Sequence, residues 1–207
     1  MREKRWFPIV YMFVITALFS SVVIGLTEAT RARVESNEKL AFERAVLMVL
    51  PGLYDPNVSS MEMHRRFNEQ VLEPNATSGG AYTIRQDGRI IAYALPMSGQ
   101  GFWAPINGVI GIRADRKTVT GVVFYQQNET PGLGAEIAKP AFQNQFEGKV
   151  LSTNEKPLRI RRPGETLGPS DVHAVTGATQ TSTRLERIIN TALTEWQSKV
   201  GKEGNPV

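Results

Sequence analysis

The chain has 207 residues, with 24 Lys plus Arg against 20 Asp plus Glu, two histidines and no cysteine. A disulfide framework, a cysteine nucleophile, a cysteine-type zinc site and a self-held iron–sulfur cluster are therefore excluded, and His64 and His173 are too few for a histidine-rich metal centre. Redox or hydrolytic chemistry must use other residues or a borrowed cofactor, and the net charge of +4 is too mild to imply a polyanionic partner.

The chain opens MREKRWFP, in which Arg2, Lys4 and Arg5 face only Glu3. Residues 6–27, WFPIVYMFVITALFSSVVIGLT, carry no charge. About 20 such residues suffice to cross the hydrocarbon core as a helix. Trp6 and Tyr11 lie toward the basic end, where amphipathic rings prefer the interface. The pattern predicts an uncleaved single-pass anchor in the cytoplasmic (inner) membrane, with the N-terminus in the cytoplasm and the main domain on the extracytoplasmic, periplasmic side. A signal peptide would have a shorter apolar region and a small-x-small cleavage site, and Thr27-Glu28-Ala29 is a poor one. The expected division is a tip and anchor over 1–27, a helical connecting segment over 28–80, the main domain over 81–200 and a tail over 201–207.

Phe42, Ala45, Val46, Val49 and Leu50 recur on one helix face, and Pro51-Gly52 ends it. Ser59 followed by Glu62 predicts a capping box for a helix carrying Met63, Phe67 and Val71, with His64 turned to solvent. After a loop over 74–80 the period changes to two. Residues 81–86 and 89–95 flank Asp87-Gly88, a two-residue hairpin signal. Residues 108–113 and 118–125 flank a second hairpin turn. Pro140 opens a short helix with Phe142 and Phe146. Residues 150–151 and 158–161 are further strand candidates. Leu185, Ile188, Ile189, Ala192, Leu193 and Trp196 predict a last helix from Thr183 to about Lys199. The expected fold is an α+β domain, an antiparallel sheet flanked by helices, behind an N-terminal transmembrane helix.

Three glycine-bearing segments stand out. Val175-Thr176-Gly177-Ala178-Thr179-Gln180-Thr181-Ser182 precedes the last helix. Unpaired N–H groups and the helix dipole would serve a phosphate there; the plain alternative is a polar cap, with Ser182 or Thr183 as cap residue. Gly99-Gln100-Gly101-Phe102-Trp103-Ala104-Pro105-Ile106 sets glycines beside large aromatics, which suits a planar ligand and equally a turn with a core Trp. Glu129-Thr130-Pro131-Gly132-Leu133-Gly134-Ala135-Glu136-Ile137 reads by itself as a long turn.

In order and spacing the three resemble the FMN-binding domain shared by the C subunit of Na⁺-translocating NADH:quinone reductase and the G subunit of the Rnf electron-transport complex. Thr176-Gly177-Ala178-Thr179 is similar to the family's flavin-attachment tetrad. The resemblance implies FMN joined through its phosphate to the Thr179 hydroxyl by a separate flavin transferase that uses FAD. It implies Thr176, Gly177, Ala178, Thr181, Ser182, Phe102, Trp103, Thr130, Leu133 and Gly134 around the cofactor, with Phe102, Trp103 and Leu133 against the ring and Arg184 as a balancing charge. The Gly-x-Gly-Phe-Trp-x-Pro-Ile stretch favours the quinone-reductase protein over the Rnf one. The implied function is a membrane-anchored electron-transfer subunit, not catalytic alone, whose partners are the other membrane subunits of the redox complex. No nucleic-acid motif accompanies the basic residues, and none of the residues suggests a metal site.

One position departs from the pattern. The signature usually has Asp three residues before the tetrad, where this chain has His173; Asp171 lies two residues earlier. Non-covalent FMN, and a non-redox binding or assembly module of the same fold, are the readings this departure leaves open.

Overall fold

The computed structural model describes residues 6–153 and 155–203. The basic residues Arg2, Lys4 and Arg5 and most of the tail expected over 201–207 lie outside them. The chain divides into two compact units, one reaching to Lys39 and the other beginning at Leu40. Helix α1 spans Phe7–Val49 and contributes to both. Residues 40–80 belong to the same compact unit as the sheet.

In the first unit the apolar run is helical, with large side chains such as Phe13, Phe19, Ile24 and Leu26 exposed. Two of its hydroxyls are satisfied within the helix. Ser21 Oγ donates to the Ala17 carbonyl at 2.7 Å and Thr27 Oγ1 to the Val23 carbonyl at 2.9 Å. Such local satisfaction is what a bilayer core demands. This is the one helix among the described residues that is long and apolar enough to cross a membrane.

In the second unit four strands form an antiparallel meander: β1 Tyr82–Gln86, β2 Arg89–Gln100, β3 Pro105–Arg113 and β4 Val119–Gln126. Asp87 and Gly88 both take positive φ, 52° and 78°, as a type I′ turn requires. β2 and β3 are longer than the alternation predicts. Gln100 pairs with Pro105, so the aromatic glycine segment is a narrow hairpin whose tip is residues 101–104.

The two faces of the sheet differ in side-chain size. Ala92, Ala94 and Gly111 present small residues to one face, where Ala45, Val46, Val49 and Leu50 of α1 and its exit pack. A Cβ on Gly111 would lie 2.5 Å from the Val49 carbonyl oxygen. The same oxygen accepts from Thr120 Oγ1 at 2.5 Å, which satisfies one orphan carbonyl of the helix end. Helix α2, Ser60–Gln70, adds Phe67 to this layer. Its cap is half of the expected box: Ser59 Oγ accepts from Glu62 N at 3.2 Å, while the Glu62 carboxylate turns to Arg65 and Arg66. His64 is partly exposed, as expected, and also reaches inward. Its Nδ1 lies 2.7 Å from the buried carboxylate of Glu43.

The other face carries Tyr93, Leu95, Ile110 and Ile112 and is covered by helix α4, Thr179–Glu203, and by Phe142 and Phe146. Phe142 lies in the short helix α3, Pro140–Gln143, as expected. Leu185, Ile189, Leu193 and Trp196 of α4 are buried, each contributing roughly 1.5–3 kcal/mol of apolar burial. Trp196 Nε1 donates to the Ser78 carbonyl at 2.9 Å, so the buried indole is satisfied. Residues 150–151 make only an isolated bridge, not a strand. Instead β5 Arg159–Arg161 pairs in parallel with β6 Asp171–His173, which periodicity does not predict. The side chains of Glu186 and Asn190 on α4 accept from Ile160 N and Leu158 N, at 2.7 and 2.9 Å.

Candidate functional site

The chain leaves β6 at His173 and enters a turn in which Ala178 N donates to the Val175 carbonyl at 3.1 Å. Gly177 occupies the third position with φ 77°, a conformation that favours glycine. Its missing side chain also matters, because a Cβ there would meet Leu133 Cδ2 at 3.0 Å. Helix α4 then begins at Thr179. The expected start at Thr183 is corrected by one helical turn, and neither Ser182 nor Thr183 is the cap. Ala178 precedes the helix, and its carbonyl accepts from Ser182 N at 3.0 Å. A methyl side chain cannot cap, so Ala178 leaves the first-turn N–H groups of α4 without a side-chain cap from that position.

The hydroxyls of this segment divide by direction. Thr176 and Thr179 are exposed, as is Gly177. Thr181 and Ser182 are each 4% exposed. Thr181 Oγ1 donates inward to Glu129 Oε2 at 2.6 Å. Ser182 Oγ is buried with no hydrogen-bond partner, which is costly unless a ligand or water completes it. Thr176, Gly177, Thr179, Ser182 and Arg162 line a cleft of ≈ 340 Å³.

The second segment supplies the aromatic tip. Phe102 is 43% and Trp103 65% exposed, with ring centroids 4.7 Å apart at 73°. Trp103 Nε1 donates to Thr130 Oγ1 at 3.1 Å. Arg184 Nη1 donates to the Gly101 carbonyl at 3.1 Å, and its guanidinium lies 5.9 Å from the Phe102 ring centroid. Arg184 is therefore held by the hairpin.

The third segment begins with a Pro131-Gly132 turn. Leu133 N donates to the Thr130 carbonyl at 3.1 Å and Gly132 has φ 74°, a type II turn with proline and glycine in their favoured places. The turn leaves Leu133 exposed beside Gly177 and brings Gly134 against α4. A Cβ on Gly134 would lie 2.5 Å from Thr181 Oγ1 and 2.8 Å from Glu129 Oε2.

Glu129 joins all three segments, a role that sequence reasoning misses. It is 5% exposed; Oε1 accepts from Phe102 N at 2.7 Å and Trp103 N at 3.3 Å. The only local signal is a carboxylate opening a Thr-Pro-Gly turn. His173 N donates to Gln145 Oε1 at 2.9 Å, and its Nδ1 lies 3.4 Å from the Arg162 carbonyl. Asp171 is buried and accepts from Gly168 N and Arg161 Nε, at 3.0 and 3.4 Å. Its carboxylate serves the preceding turn. Among the described residues no cluster of three or more His, Cys, Asp or Glu is placed to hold a metal ion.

The residues present fit a flavin mononucleotide. An exposed threonine opens a helix with an uncapped first turn, a buried hydroxyl without a partner lines the adjoining cleft, and Phe102, Trp103 and Leu133 offer apolar surface.

Comparison with known proteins agrees with this chemistry. Residues 101–194 match the family model of the FMN-binding domain. The chain is 34% identical over 139 residues to the C subunit of the Na(+)-translocating NADH-quinone reductase of Vibrio vulnificus, an alignment covering 66% of this chain and 54% of that relative. It is 39% identical over 100 residues to the corresponding protein of Neisseria meningitidis, covering 47% and 38%. The chain thus spans about half the length, or less, of these relatives. The crystal structure of the corresponding protein from Parabacteroides distasonis superposes with a TM-score of 0.70 at 27% identity, covering 84% of this chain and 98% of that one. Shewanella oneidensis NqrC superposes at 0.66 and 22% identity, covering 77% and 94%, which speaks for the fold alone.

Proposed function

We propose that this chain, whose residues 101–194 match an FMN-binding domain, is an FMN-carrying, membrane-anchored electron-transfer subunit of a Na(+)-translocating NADH-quinone reductase. The observation that carries the reading is Thr179. Its exposed side chain opens α4 beside a cleft, in the same structure that Glu129 ties to two exposed aromatics.

The FMN phosphate is held as an ester of the Thr179 hydroxyl. A threonine hydroxyl is a weak nucleophile at its free pKa, so a separate flavin transferase would activate it and cleave the pyrophosphate of FAD, joining FMN to the Thr179 oxygen while AMP leaves and the hydroxyl proton passes to the transferase or solvent. The phosphodiester keeps negative charge, which the first-turn N–H groups of α4 stabilise. Arg162 and the unpartnered Ser182 hydroxyl line the same cleft. Phe102, Trp103 and Leu133 cover apolar ring surface, and Thr130 holds the Trp103 indole in place. When bound, FMN supplies the electron-transfer chemistry that a chain without cysteine lacks. NADH oxidation, quinone reduction and ion conduction belong to partner subunits. The apolar run of α1 anchors the domain on the periplasmic side, with the basic N-terminus in the cytoplasm.

The test is the intact mass of the full chain produced with a flavin transferase. One covalent FMN is expected, and Thr179→Ala is expected to abolish in-gel flavin fluorescence. Undiminished fluorescence in that variant would place the link elsewhere. A colourless wild-type chain would support the non-redox module that His173 leaves open.

A further inference from the structure

We propose that Glu129 is the positioning residue of the flavin site: its two carboxylate oxygens separately hold the aromatic hairpin tip and the first turn of α4. The inference rests on the FMN reading above. Oε1 accepts from Phe102 N and Trp103 N, at 2.7 and 3.3 Å, and Oε2 accepts from Thr181 Oγ1 at 2.6 Å. One oxygen therefore faces the residues that would cover the ring. The other faces the helix turn that starts at the attachment threonine.

The surroundings are shaped around this carboxylate. A Cβ on Gly101 would lie 2.5 Å from Oε1 and one on Gly134 would lie 2.8 Å from Oε2. Two glycines in two segments thus leave room for the same side chain. Gln127 Oε1 accepts from Glu129 N at 2.6 Å and fixes the backbone from which it projects. The link is doubled on α4. Thr181 reaches the tip through Glu129, and Arg184, on the same helix face, reaches the Gly101 carbonyl directly at 3.1 Å.

Stability alone does not call for a glutamate here. A carboxylate at 5% exposure has lost most of its hydration, and a buried charge is weak evidence of net stabilisation. The tip amides belong to exposed residues, for which water is an alternative acceptor. Protein acceptors in place of water hold the tip in one geometry. A glutamate spans both partners. An aspartate, one methylene shorter, cannot reach both. A glutamine can, because its amide oxygen accepts from Phe102 N and its NH₂ donates to the Thr181 hydroxyl.

The test uses the full chain with Glu129→Ala, Glu129→Asp and Glu129→Gln, and two readouts. The first is amide hydrogen exchange at Phe102 and Trp103 without flavin. The second is visible circular dichroism of the flavin, per flavin bound, in the loaded chain. Alanine and aspartate are expected to speed tip exchange by about tenfold or more and to weaken the dichroism. Glutamine is expected to keep both near wild type. Where the alanine variant does not fold, the contrast between glutamine and aspartate carries the test. Unchanged tip exchange in the aspartate variant overturns the proposal. So does a fall in melting temperature with unchanged dichroism, which is the mark of a merely structural residue, or a glutamine variant that behaves like alanine. A wild-type chain that takes up no flavin defeats the FMN reading instead, and the exchange measurement stays separate from it.

Discussion

Two groups of aromatic side chains in the second unit meet opposite fates. On the α1 and α2 face, Phe42 contacts Phe67, Tyr82 and Tyr125 with ring centroids 6.3, 5.4 and 5.8 Å apart. Each ring there has an aromatic neighbour at a tilted or edge-on angle; Phe67 is buried and the other three are half-buried, so this cluster is the more enclosed of the two. At the hairpin tip Phe102 and Trp103 contact each other, yet both are exposed, and the polar groups beneath them are tied to a buried glutamate. Rings that serve stability are surrounded by side chains. The rings proposed to serve a ligand are held by polar ties from one side and left open on the other.

The largest effect that sharpens this contrast is expected in the more enclosed cluster. Phe67→Ala should cost about 3–5 kcal/mol in chemical denaturation and leave flavin attachment intact in the folded fraction. Loss of attachment without loss of stability would break the distinction. Gly134→Ala places a methyl against Thr181 Oγ1 and Glu129 Oε2. It should cost about 1–3 kcal/mol and lower the flavin fluorescence retained after gel electrophoresis, because it pushes at the link between tip and helix. Trp103→Ala should change stability by no more than about 0.5 kcal/mol, as for an exposed side chain. It should nevertheless shift the flavin absorbance and emission maxima. A large stability loss would make Trp103 a core residue and erase the comparison.

The smallest expected effect lies on the more enclosed side, in α2. Hydrogen bonds from Arg65 and then Arg66 lower the Glu62 carboxyl from its ordinary 4.5 to about 2. A depressed acid contributes stability above its ordinary pKa and loses it as pH falls through the folded value. The contribution should thus fade between about pH 4.5 and about pH 2. A Glu62→Gln variant should match wild type in helicity at the acid end of that window and fall slightly behind at neutral pH. The pair is solvent-accessible, so added salt should narrow the gap.

Much of the fold is legible from local patterns. Asp87-Gly88 specifies its hairpin because both residues accept positive φ. The face of α4 follows from apolar spacing, and so do the two ends of the long helix, one from an uncharged run and the other from the spacing of Phe42, Val46 and Val49. The charged stretch from Glu28 reads as helical as well, because composition changes there while helix propensity does not. The start of α4 lies earlier than its polar residues suggest. Threonines and serines read as caps, but the structure begins the helix at Thr179 and turns Thr181 inward instead.

By itself the sequence determined the apolar run, two hairpins, the last helix and three glycine-bearing segments with their family resemblance. Each depends on neighbours a few residues apart, where periodicity and turn chemistry operate. Only the tertiary structure decided what binds those segments together. Glu129 meets Phe102 and Thr181 from 27 and 52 residues away, and Arg184 meets Gly101 from 83. A buried carboxylate takes whichever donors the fold brings to it, and no local period encodes that choice.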